Sequence, residues 1–197
     1  MVFMALIALI LGVLYGLSGL TFIDFIVENK EYVLYFLMFL VGISIGLNKG
    51  ILKKLKEYHL KVFIIPFGII AGSILGGVVC SYLLNIDMNI TTAISSGLGW
   101  YSLSGIMITN LTNATYGSIT FLSNLMREIF SFFCIPLVAK YLNYLTCIAP
   151  AGATSEDTTL SMMIKYTNEE TVVLSVLNGM ICSTLVPILI NLCFKIF

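Results

Sequence analysis

Charge is what this chain of 197 residues has least of: 10% of its positions are Asp, Glu, Lys or Arg, and 59% are hydrophobic. A soluble domain of this length needs a far more polar surface. The charges sum to zero, so composition suggests no nucleic-acid partner. The single histidine, His59, lies in a lysine-rich stretch, where a solvated ring is the ordinary reading and a metal ligand is not. The five cysteines, Cys80, Cys134, Cys147, Cys182 and Cys193, include no C-x-x-C pair and fall in apolar segments. They read as small apolar residues, not as a disulfide framework or metal site. P-loop, H-E-x-x-H and G-x-S-x-G motifs are missing, as is any Ser/His or Asp pair at catalytic spacing. An enzyme is not expected, and no cofactor is implied. The short alternating segments of a β-barrel are missing as well. Asn89, Asn110 and Asn113 match the glycosylation triplet, a weak pattern with little weight beside apolar runs.

What is present is long apolar runs, several of them about 20 residues, enough to cross a hydrocarbon core of ~30 Å. Mean hydropathy is +1.03. The chain reads as an all-α polytopic membrane protein in one domain, 1–197, embedded in a lipid bilayer. Spans are expected at 2–20, 31–48, 61–84, 92–111, 118–142, 147–165 and 170–194, about seven segments in all. The opening "MVFMALIALILGVLYGLSGL" has no basic n-region and no A-x-A site, which favours a first span over a cleaved signal. The loop "NKGILKKLKEYHLK" sets Lys49, Lys53, Lys54, Lys56 and Lys61 against Glu57, so loop 49–61 is expected in the cytoplasm. The acidic stretch "TFIDFIVENKEY" then belongs outside and the N-terminus inside. Whether 92–111 and 147–165 cross or turn back decides the side of the C-terminus, and the sequence leaves this open.

Those two segments are poor lipid-facing helices. "TTAISSGLGWYSLSGIMITN" centres on Ser96, Gly97, Gly99, Ser102, Ser104 and Gly105. "CIAPAGATSEDTTLSMMIKY" carries Pro150, Gly152, Thr154, Ser155, Glu156, Asp157, Thr158 and Thr159. Both read as helices interrupted near the middle, the device by which transporters expose helix ends to a substrate within the membrane. A shift of about 52 positions lays Leu122, Ser123, Leu125, Ile129 and Ser131 over Leu174, Ser175, Leu177, Ile181 and Ser183. It also lays one interrupted segment over the other. Each half is then an interrupted segment followed by a long apolar helix. Paired interruptions at matching positions point to a transporter's binding site.

The only arginine, Arg127, stands beside Glu128 inside the apolar run 121–138. A charge at the bilayer centre costs about 2.5–3.5 kcal/mol on insertion scales. On a helix Asn124, Glu128 and Ser131 share one face, and Ser123 and Arg127 share another. Glu128 therefore faces protein or a water-filled cavity. If the helix starts near Gly117, Glu128 lies about 15 Å deep at 1.5 Å per residue. Intramembrane acids mark ion and substrate paths, so Glu128 is the first candidate for binding a cation or proton. A purely structural role, with Arg127 in an ion pair to an acid on another span, is the alternative. Glu156 and Asp157 are further candidates; the competing reading is a helix start capped by Thr154 or Ser155. Trp100 and Tyr101 fit either an interfacial anchor or the wall of a pocket.

Three stretches, "GLGWYSLSG" (97–105), "NLMREI" (124–129) and "GATSEDTTL" (152–160), in this order and spacing, resemble the LysO family of bacterial lysine exporters. The motifs are long and specific, and the likeness extends over most of the chain. The resemblance implies export of L-lysine, and of analogues such as thialysine, across the inner membrane. The family's intramembrane glutamate falls on Glu128. Longer members carry an N-terminal region with further spans, which implies that a small membrane protein completes the transporter where that region is separate. Homo-oligomers stay open. Lysine has net charge +1, and moving it outward against the membrane potential costs ~2.3 kcal/mol per 100 mV. Export therefore needs coupling, and proton antiport is expected. Glu128 would take a proton or an ammonium, Asp157 or Glu156 the second ammonium. Half-helix N-termini with Asn124, Ser102, Ser104, Thr154 and Ser155 nearby would hold the carboxylate. The runner-up reading is a cation/proton antiporter or organic-anion carrier, and a further one is one subunit of a two-chain lysine exporter. Thermal shifts with lysine, sodium and citrate separate a lysine exporter from the cation or organic-anion carrier.

Overall fold

The computed structural model describes residues 2–18, the single positions 32, 36, 39 and 43, and residues 61–196. The chain divides into two units, 1–48 and 49–197. In the first, α1 (Val2–Ser18) is an apolar helix that exposes Ile10, Leu11, Leu14 and Leu17. Apart from those single positions, the span expected at 31–48 and the loop 49–60 lie outside the described residues.

The second unit contains α2 (Lys61–Leu84), α3 (Met88–Ser95), α4 (Tyr101–Leu111), α5 (Ala114–Tyr141), α6 (Ile148–Ala151), α7 (Leu160–Tyr166) and α8 (Glu169–Ile196). Short 3-10 turns at Leu145–Cys147 and Gly152–Glu156 flank α6. No strand occurs among the described residues. Three of these helices are long and apolar enough to cross a membrane, at Phe63–Leu84, Ala114–Tyr141 and Glu169–Ile196. The chain is a multi-pass helical membrane protein.

Asparagines start two of the three. Asn113 accepts the Tyr116 N–H at 3.1 Å, and Asn168 accepts the Thr171 N–H at 3.0 Å. Each satisfies one of the donors that a helix start leaves without a partner. Along α5 the expected polar face is buried: Asn124, Glu128 and Ser131 are 2%, 1% and 0% exposed. The face at Met126, Phe130, Phe133 and Leu137 is apolar and exposed, as a lipid-facing stripe must be.

The two interrupted segments do not cross. A turn of three residues, 85–87, joins α2 to α3, and α3 runs back along α2 until a Cβ on Gly77 would lie 2.8 Å from Thr92 Cα. Then α4 returns along the first turns of α5, where Gly105 meets Phe121 and Gly117 meets Thr109. Residues near the end of α2, Leu84 and Ile86, share a cavity wall with Ile119 early in α5, while Ser73 bonds Arg127. So α2 and α5 are antiparallel, and the outer ends of α3 and α4 lie on the same side, at the start of α5. The second segment rises from the other end of α5. Cys147 lies beside Ile135, and Pro150 beside Ser131 and Arg127. Then α7 leads back into the first turn of α8 through a two-residue link. The arrangement is a re-entrant hairpin followed by a long helix, twice, with the second copy upside down. Two of the about seven expected spans are therefore hairpins that turn back.

Candidate functional site

The hairpin tips meet. The first tip is 96–100, where Leu98 and Gly99 have φ of 51° and 99°. The second begins at Gly152, with φ of 59°. Positive φ is costly for a leucine. Leu98 is fully buried, and its carbonyl accepts the Ala153 N–H from the other tip at 2.9 Å. One backbone hydrogen bond thus joins the two halves at their centre.

Each long helix grips the tip of its own half with an asparagine. Asn124 on α5 accepts the Gly99 N–H at 2.8 Å and donates to the Ile94 and Thr120 carbonyls, both at 3.0 Å. Asn178 on α8 donates to the Gly152 carbonyl at 2.9 Å and the Ser155 hydroxyl at 3.0 Å. Ser155 and Ser175 also exchange bonds to each other's carbonyls, at 2.8 and 2.7 Å. These bonds satisfy backbone groups that an interrupted helix leaves unpaired inside a membrane. Replacing Asn124 or Asn178 by leucine leaves buried partners unsatisfied, an expected cost of about 1–3 kcal/mol. A lower midpoint of thermal unfolding in detergent for each variant checks this; an unchanged midpoint would mean that the tips do not depend on these bonds.

Arg127 holds the second hairpin. Its Nε donates to the Pro150 carbonyl at 3.2 Å, Nη2 to the Ala149 carbonyl at 3.3 Å and Nη1 to the Ser73 hydroxyl at 3.0 Å. Ser131 also donates to the Pro150 carbonyl, at 2.9 Å. The expected ion pair is thus replaced by a cation placed on the carbonyls at the end of α6, where the backbone's partial charge is negative.

Glu128 is different in kind. It is 1% exposed, and both of its carboxylate oxygens are buried without a hydrogen-bond partner. It is the fifteenth of the 28 residues of α5, so it lies at the middle of a membrane-length helix, about 20 Å from its start. The Thr158 hydroxyl approaches it without completing a hydrogen bond, and Asp157 lies within electrostatic reach. Tyr101, at the start of α4, is within reach of both acids. Its ring packs edge-on against Phe121, with centroids 5.2 Å apart. Asp157 is exposed and accepts from the Thr158 N–H and hydroxyl. Glu156 is half-buried and accepts from the Ser183 hydroxyl at 2.8 Å.

The structure thus brings Glu128, Asp157 and Tyr101 together beside the tips. Glu156 faces α8 instead. Ser104 donates to the Trp100 carbonyl at 2.7 Å and Thr154 to the Ala151 carbonyl at 2.9 Å, so both hydroxyls serve their own turns, as does Ser155. Ser102 and Trp100 are half-buried at the first tip. Sequence reasoning missed Asn178 and gave no site role to Ser175, Thr158 and Ser183. The signal for Asn178 was an asparagine inside an apolar helix, 54 positions after Asn124, two away from the register of the repeat. Among the described residues, no group of His, Cys, Asp and Glu is placed to hold a metal ion.

Paired re-entrant hairpins, inverted in the membrane and meeting beside a buried acid, define a class: multi-pass helical membrane proteins with the internal architecture of secondary transporters. The sequence model described as "Lysine exporter LysO" matches residues 6–194, and the chain belongs to that family. It is 35% identical over 181 residues to "Lysine exporter LysO" of Escherichia coli (strain K12), a match that covers 92% of this chain and 60% of that protein. It is 36% identical over 185 residues to a "Putative lysine exporter" of Haemophilus influenzae (strain ATCC 51907 / DSM 11121 / KW20 / Rd), covering 93% of both. No solved structure matches the chain.

Proposed function

We propose that this protein exports L-lysine and close analogues across the bacterial cytoplasmic membrane, in exchange for protons. The carrying observation is Glu128, a carboxyl with two unpartnered oxygens at the centre of α5 beside two re-entrant tips. A buried carboxylate needs a counter-charge or a proton. Lysine's ammonium supplies the first, and an incoming proton the second. Binding one or the other, never both, links the two movements. Exchange of one proton for one lysine moves no net charge, which removes the cost of driving a cation outward against the potential. Asp157 serves the second ammonium, at the exposed edge of the same cluster. The relatives' names, lysine exporter and putative lysine exporter, support this substrate.

With loop 49–61 in the cytoplasm, α2 and α8 end outside. The hairpin α3–α4 then enters from outside and α6–α7 from the cytoplasm. Efflux of labelled lysine, measured in cells lacking other exporters, is expected to fall when a protonophore collapses the gradient. Equal rates with and without the protonophore would sink the coupling. The chain spans 60% of the length of the E. coli relative, and a second reading makes it one subunit of a two-chain exporter. In this reading a small partner membrane protein completes the transporter, and only the pair exports. Co-purification of such a partner, with efflux only in its presence, would decide for the pair.

A further inference from the structure

Glu128 accounts for a cationic group on the substrate but not for its carboxylate. A separate cavity of about 300 Å³ lies between α2, α3 and α5. That is at the lower end of the ~300–1,000 Å³ typical of small-molecule sites, which are mostly apolar with a few converging polar groups. Its wall fits that description. Gly76 and Ile94 contribute apolar surface, and the polar lining includes Thr91 and Ser95 as well as Ser73, Ser123, Asn124 and Arg127. Among the described residues that line it there is no acid, and Arg127 is the one charged side chain.

Three of the five guanidinium donors of Arg127 are used, by Ser73 and the carbonyls of Ala149 and Pro150. One N–H remains on each terminal nitrogen, and guanidinium N–H donors bind carboxylates well. The three existing bonds hold the fork in place before any ligand arrives. Arg127 lies at the middle of α5, below the level of lipid headgroups, so a lipid phosphate does not reach it. Asn124 lines the same cavity and bonds the Gly99 N–H, which connects the cavity to the first tip.

We infer that this cavity receives the carboxylate end of the exported amino acid, with Arg127 as its ligand. The inference rests on the export reading above. Consecutive residues of α5 then present opposite charges at one depth on adjacent faces, Arg127 for the carboxylate and Glu128 for an ammonium.

The test is lysine efflux by the full chain, with two competitors. Cadaverine keeps both ammonium groups of lysine and lacks the carboxylate. Norleucine keeps the carboxylate and lacks the side-chain ammonium. Arg127→Lys removes the fork, but it also disturbs α6. Gly76→Leu therefore serves as the second variant: a Cβ there meets nothing within 4 Å, so the side chain fills the cavity without a backbone clash. In the wild type, norleucine is expected to compete better than cadaverine. Gly76→Leu, at wild-type membrane levels, is expected to raise the KM for lysine by about tenfold or more, the scale of one lost charge-assisted contact. It is also expected to erase norleucine's advantage. An unchanged KM and unchanged competitor order would overturn the assignment while leaving export by way of Glu128 intact. A wild type that exports no lysine would overturn the export reading, and this assignment with it.

Discussion

Glu128→Gln is expected to reduce lysine efflux by about a hundredfold or more, the effect of losing a buried charge contact of about 2–5 kcal/mol. The folded protein is expected to gain or keep stability. Glutamine has the same shape and carries no charge. In the wild type both carboxylate oxygens are buried without a partner, an unfavourable state that substrate or a proton relieves. Removing the charge removes that penalty, so the midpoint of thermal unfolding should equal or exceed that of wild type. Loss of transport with retained stability is the signature of a site held at a cost for function. The measurement is efflux at matched membrane levels, paired with unfolding in detergent. Efflux equal to wild type would make Glu128 structural and move the site to Glu156 and Asp157. A destabilised variant would mean that the carboxylate is bonded in the folded protein after all.

Gly152→Ala is expected to be among the most damaging single substitutions, costing more than about 3 kcal/mol. Gly152 has φ of 59° and ψ of −123°, a conformation that residues with a Cβ avoid. Space is the larger obstacle. A Cβ would lie 2.4 Å from the Leu98 carbonyl oxygen and 3.1 Å from Arg127 Nη2. The first contact is backbone of the other hairpin, so one tip must move. Movement breaks the Ala153 to Leu98 hydrogen bond that joins the halves. Gly72→Ala is the control, since a Cβ there meets nothing within 4 Å. It should be neutral or stabilising by about 0.5–1 kcal/mol, the difference between alanine and glycine in a helix. Yield of folded protein after detergent extraction, followed by thermal unfolding, distinguishes the two. Equal behaviour would mean that the tips are not in contact.

The long helices were legible because lipid imposes a simple rule. A run of apolar residues must satisfy its own backbone, and helix is the local way to do so. The expected spans at 61–84, 118–142 and 170–194 correspond to α2, α5 and α8. The buried face of α5 was legible for a related reason, since periodicity alone places Asn124, Glu128 and Ser131 on one side. The interruptions were legible from composition, because glycine, proline and paired hydroxyls cannot continue a lipid-facing helix. Their direction after the break was not. A helix that turns back and a helix that crosses bury similar residues, and the choice depends on which neighbour each half packs against. The repeat was visible only as a string of Leu, Ile and Ser matches. Its inversion, and the equivalence of Asn124 with Asn178, are facts of packing.

The sequence by itself determined a helical membrane protein, its interrupted segments, its family and the polar face that carries Glu128. The family follows from the resemblance of three motifs, and the others from local composition or from spacing along one helix. Only the tertiary structure decided that the two tips bond to each other, that Arg127 rests on carbonyls instead of an acid, and that Glu128 is left without a partner. Those are relations between residues of different elements, set by which backbone groups inside the membrane can find a donor or an acceptor once the helices have packed.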